Sequence, residues 1–151
     1  MLADSLLLPE CTYRPGSFSG LMLLYESNFL KLTGLIGTLD PNTPCWISRA
    51  RGDSDLYLER THSAPYTTTL CMTYWLRDGS GVLIKDPDMT IRIYHDAAQA
   101  EAVGCRAGHR HRLLRELGAS HAGELNRRWQ TNMMLNKWLD YLIDSGHGFA
   151  R

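Results

Sequence analysis

Apolar residues recur along this chain at two different periods. From Phe18 through Leu21, Met22, Tyr25, Phe29, Leu32 and Ile36 they return every third or fourth position, the stripe of an amphipathic helix. Ser17 or Ser19 offers a capping hydroxyl at its start, and Gly34, Gly37 and then Asp40-Pro41-Asn42 close it. The period then drops to two. Cys45–Arg51, Leu56–Thr61 and Thr67–Leu76 are short and rich in β-branched and aromatic residues. Turn chemistry at Arg51-Gly52-Asp53-Ser54 and Ser63-Ala64-Pro65 separates them. In Thr67–Leu76, one face carries Leu70, Met72, Tyr74 and Leu76, and the other Thr67, Thr69, Cys71 and Thr73. One face of the sheet therefore packs while the other stays at least partly wet.

Val82-Leu83-Ile84 predicts a short edge strand, Met89–His95 the last clear strand, and a helical pattern is expected after Asp96. The final helix spans Glu124–Asp144, with Gly146 as the residue that ends it. Its first half has one apolar face, Leu125 and Trp129 followed by Leu139 and Ile143. Its second half is apolar nearly all round, through Met134, Leu135, Trp138, Tyr141 and Leu142. The order predicts an α+β fold: an antiparallel β-meander of four or five strands with an N-terminal and a C-terminal helix packed on one face. Residues 1–15, broken by Pro9 and Pro15, read as an irregular N-terminal arm before a single α+β domain over 16–151.

Composition changes this picture little. A chain of 151 residues suits one domain with a real core, and sixteen basic residues balance sixteen acidic ones. No global field draws in polyanions. Cys11, Cys45, Cys71 and Cys105 form no CxxC pair, and Leu6-Leu7-Leu8, beside Asp4, makes no secretory leader. Both point to free thiols in a reducing cytoplasm. No apolar run approaches the ~20 residues that span a bilayer, so no membrane partner is expected. GxGxxG, GxxxxGK[ST], GxSxG and HExxH are all missing. These absences argue against dinucleotide and P-loop chemistry, and no cofactor is expected.

Candidate chemistry concentrates in Met89–Asp96. Strand alternation puts Thr90, Arg92, Tyr94 and Asp96 on one face and Ile91, Ile93 and His95 on the other. A guanidinium, a phenol and a carboxylate in a row suit a platform for a small anionic ligand or a protein partner. Thr68, Tyr66, Asn28 and Asn132 are the residues expected to complete it. The competing structural reading has Asp96 capping a helix from Ala97 and Arg92 paired with a carboxylate across strands. A catalytic alternative is a small hydrolase or phosphoryl-transfer enzyme with His95 and Asp96 as acid and base and Arg92 on the anion. On the final helix, Asn132 and Asn136 interrupt an apolar face, so their amides need sheet backbone, a loop or a pocket. Arg106, Arg110 and Arg112 belong to a local basic patch that RNA binding would use, without interleaved aromatics. His109 and His111 lack partnering ligands, and no metal is expected.

Several ordered segments resemble the YqiB-like family of uncharacterised cytoplasmic proteobacterial proteins. They are Leu24-Tyr25-Glu26-Ser27-Asn28-Phe29, Tyr66-Thr67-Thr68, Met89-Thr90, Arg92-Ile93-Tyr94-His95-Asp96-Ala97, and Gln130-Thr131-Asn132 with Trp138-Leu139 and Gly146. The resemblance runs from about residue 20 to 147. It implies no activity, since the family is a domain of unknown function. Two departures flank the polar face: Pro65 stands where relatives carry Arg, and the run 104–121 replaces a Tyr-Pro-Asn-like stretch.

Overall fold

A computed structural model describes residues 16–106 and 121–149. Helix α1 (Phe18–Ile36) starts where Ser17 Oγ accepts the Gly20 N–H at 3.0 Å. It stops at Gly37, whose φ of 58° suits glycine and whose N–H closes onto Thr33 O. Five strands follow: β1 (Cys45–Ser48), β2 (Leu56–Ser63), β3 (Thr67–Arg77), β4 (Leu83–Tyr94) and β5 (Gln99–Arg106), and helix α2 (His121–Asp144) comes last. The strands form one antiparallel sheet in chain order, so every connection joins neighbours. The fold is the expected α+β meander between two helices. The arm read over residues 1–15 lies outside the described residues.

The register sorts side chains into rows. Leu58, Met72, Met89 and Cys105 form one row, and Leu70, Ile91 and Ala102 the next. Both point at the helices, which meet them with Leu32, Leu35 and Ile36 of α1 and Leu135, Trp138, Leu139 and Leu142 of α2. Leu21, Leu24, Tyr25 and Trp129 make a second cluster nearer the start of both helices. The opposite rows are polar: Tyr57, Thr73 and Asp88; Glu59, Cys71 and Thr90; Thr69, Arg92 and Glu101; Thr67, Tyr94 and Gln99. Their β5 ends meet the helices, Gln99 at Met22 and Glu101 at Tyr25 and Arg128; no described element covers the rest.

Three expectations need correction. Val82-Leu83-Ile84 and Met89–His95 are not separate strands; Leu83–Tyr94 is continuous, with Pro87 in the register irregularity opposite Thr73–Trp75, where a missing donor does no harm. No helix follows Asp96. A turn with Ala98 at φ 54° leads straight into β5. Alanine, glutamine and glutamate favour helices, but Ala100 and Ala102 are buried at period two, and pairing with β4 overrides local preference. The last turns of α2 are not buried all round: Tyr141 and Ile143 are exposed while Leu142 packs.

Candidate functional site

The uncovered sheet face gathers Arg92 and Tyr94 on β4, with Thr69 beside Arg92 on β3 and Glu101 opposite it on β5. The Tyr94 hydroxyl donates to Glu101 Oε1 at 2.5 Å, and Glu101 Oε2 lies 3.7 Å from Arg128 on α2. Glu101 thus ties the open face to the helices around the β5 edge. Burial, then the bond to Glu101, pushes the Tyr94 phenol up, while the neighbouring Arg92 guanidinium pulls it down. Tyr25 of α1 joins from the other side; burial first and Glu101 next raise its hydroxyl to about 12. Arg92 is half-buried, yet among the described residues no carboxylate lies within ion-pair distance of it. Part of its fork is turned on the Tyr94 hydroxyl, and the remaining N–H groups have no carboxylate partner among the described residues.

The remaining expected residues are dispersed. Thr68 has the parity of Leu70, so it sits on the helix side, where its hydroxyl meets His95 Nε2 at 2.8 Å. His95 is therefore bonded to Thr68 across the sheet from Arg92 and Tyr94. Tyr66 is exposed at the β2–β3 turn, where its carbonyl accepts the His95 N–H. Asp96 is exposed in the turn before β5 and caps no helix. Arg110 and Arg112 fall outside the described residues, and Arg106 ends β5.

Asn28 and Asn132 are fully buried on the helix side. Asn132 Oδ1 accepts the Ala102 N–H at 2.7 Å and the Asn28 amide at 3.3 Å, while its Nδ2 donates to Ala102 O and Arg128 O. Asn136 donates to Asn28 Oδ1 and to Ser27, and accepts from Lys31, which also pairs with Asp140. Each of the three amides is bonded to another of them, and Asn132 also to the β5 backbone, as burial demands. The sheet backbone is one partner that the sequence pattern of Asn132 and Asn136 pointed to. Neither Asn28 nor Asn132 meets Arg92.

A second buried group escaped the sequence. His147 donates or accepts through Nδ1 with Ser48 Oγ at 3.0 Å and meets Asp53 Oδ2 through Nε2 at 2.8 Å. Asp53 also accepts from Tyr74 at 2.6 Å and Tyr141 at 3.3 Å, and Ser48 Oγ accepts the Gly148 N–H. Burial opposes charge on Asp53, but the bonds from Tyr74 and His147 outweigh it and hold the carboxyl below its ordinary range. A charged Asp53 fixes the proton on Nε2, leaving Nδ1 to accept from Ser48. The order Ser–His–Asp has the sequence of a catalytic triad with the two ring nitrogens exchanged. Ser48 is 4% exposed and His147 6%, so no substrate carbonyl reaches the hydroxyl. The group pins the segment after α2 onto β1. Residues 99 and 94 positions apart form it, and no local spacing announces that. Glu101 was hidden in the same way, inside a stretch read as helix.

No helix among the described residues is long and apolar enough to cross a membrane, and no group of metal-holding side chains occurs among them. No curated protein and no solved structure matches the chain. Residues 31–148, from the second half of α1 to just past α2, match the model of DUF1249, described as a protein of unknown function. With most of its length inside that match, the chain belongs to the DUF1249 family.

Proposed function

We propose that this chain is a cytosolic binding or regulatory module, of the YqiB-like kind within its family, that takes a small anionic ligand or an acidic protein partner on its uncovered sheet face. The observation that carries the reading is Arg92. A half-buried guanidinium on a sheet normally faces a carboxylate, but the one opposite it, Glu101, is engaged by Tyr94 and Arg128. Thr69 flanks the guanidinium, so a carboxylate or phosphate arriving there finds a planar fork beside a hydroxyl, with Tyr94 holding Glu101 aside.

The test sets the wild type beside Arg92→Ala and Tyr94→Phe in thermal-shift titrations with inorganic phosphate, nucleotides and dicarboxylates, and in affinity purification. A ligand of the face raises the midpoint in proportion to RT ln(1 + [L]/Kd) for the wild type and loses that effect in Arg92→Ala. Folded Arg92→Ala that keeps every ligand and partner defeats the reading.

A further inference from the structure

The other end of the same open face has a different chemistry. Tyr57 of β2 and Trp75 of β3 stand edge to face, centroids 6.3 Å apart and planes at 81°, forming the corner of a cavity of about 220 Å³. Glu59, Thr73 and Asp88 supply its polar wall, with the Thr73 hydroxyl donating to Asp88 at 2.7 Å. The same two rings also line a second, larger cavity of about 790 Å³, with Asp53, Asp55 and Arg77. Asp53 is turned on Tyr74 and His147 and Asp55 pairs with Arg49, which leaves Glu59 and Asp88 of the smaller cavity facing its one cation, Lys85. Lys85 is itself informative: its ammonium sits 5.1 Å from the centre of the Trp75 ring. The ring face already receives a cation, one tethered to the neighbouring strand and exposed to water.

We propose that the Tyr57–Trp75 corner binds a small quaternary ammonium ligand, and that Lys85 is the resident cation it displaces. An aromatic face attracts a cation through its quadrupole, and two rings at a right angle contact two sides of a tetrahedral group. A quaternary ammonium has no N–H to leave unsatisfied and is weakly hydrated, so it enters an aromatic corner more readily than the strongly hydrated lysine ammonium. Asp88 and Glu59 neutralise its charge. This site is independent of the anion reading at Arg92: the rows differ, and so does the sign of the ligand.

Choline chloride titrated into the uniformly ¹⁵N-labelled full chain, against sodium chloride at equal ionic strength, tests the assignment. Choline should shift the Trp75 indole N–H signal saturably, while sodium chloride does not. Lys85→Ala removes the competitor and should tighten choline binding roughly two- to five-fold, the factor an exposed cation–π contact is worth. Trp75→Leu and Tyr57→Leu should each abolish the shift at the remaining corner residues, with Tyr57→Leu serving if Trp75→Leu does not fold. Choline that acts no differently from sodium chloride on both the wild type and Lys85→Ala overturns the proposal. So does undiminished choline binding in either folded corner variant.

Discussion

The polar groups on the two sides of this sheet are used in different ways. On the helix side, Asn28, Asn132, Asn136, Ser48 and His147 are buried, and with Asp53 they bond to one another, to backbone and to neighbouring side chains of the helices and the sheet. On the open side, Arg92, Thr90, Glu59 and Lys85 stand in rows that no described element covers. A polar residue on this fold is therefore read by its face. On the helix side it holds elements together; on the open side some groups, such as Thr73 with Asp88 and Tyr94 with Glu101, bond along the sheet, and Arg92 faces no carboxylate partner among the described residues. Amides in the covered layer are neutral at every pH, whereas the Asp53 carboxyl couples the same layer to solution conditions.

Substitutions should separate the faces, and the largest effect is expected at Asn132. Asn132→Ala orphans the buried Ala102 N–H and the Asn28 amide, at about 1–3 kcal/mol each, so urea denaturation should show a loss of roughly 3–5 kcal/mol. A loss under about 1 kcal/mol would mean that water replaces the amide and that the covered layer is not closed. Next comes Asp53→Asn, expected to cost about 2 kcal/mol because Tyr74 and His147 lose a charged acceptor.

The same variant should change the acid limb. The Asp53 carboxyl is held below its ordinary value of 3.8, so its stabilisation is complete above that pH and lost as pH falls through the folded value. Melting curves of the wild type should therefore steepen below about pH 4, and Asp53→Asn should flatten that slope. At the alkaline end the sign reverses. Tyr25 is raised from 10.0 to about 12, so its contribution is whole below pH 10 and declines as pH climbs toward the folded value. Tyr25→Phe should weaken this loss between those limits. Smallest of all is the effect of Arg92→Ala on stability, within about 0.5 kcal/mol, although this substitution should remove ligand response. A large destabilisation there would move Arg92 into the structural class and erase the contrast between faces.

Much of the fold was legible because it is local. Ser17 and Gly37 bracket α1 through caps within a few residues, and the alternation in β3 needs only its own side chains to mark the wet face. What escaped was non-local or self-contradictory. β5 is written in alanine, glutamine and glutamate, and only pairing with β4 shows that Ala100 and Ala102 alternate inward. Pro87 split β4 on paper, yet the irregularity opposite it absorbs the missing donor. Of the candidate site, Arg92 and Tyr94 were found by parity alone. Glu101 was lost with β5, and parity should have excluded Thr68 from that face. His147, Ser48 and Asp53 come from three distant segments, and each looked ordinary where it stood.

The contact between Asn132 and Ala102 has a consequence for the sheet as a polymerisable object. A carboxamide is a peptide unit carried on a side chain, with the same donor and acceptor, and here it bonds both outward groups of one residue on the outermost strand. Helix α2 thereby offers β5 a sixth strand one residue long. That stub occupies the outer edge of β5 at Ala102, so a chain adding there would have to displace a helix side chain, and the far margin at Cys45–Ser48 is a strand just four residues long.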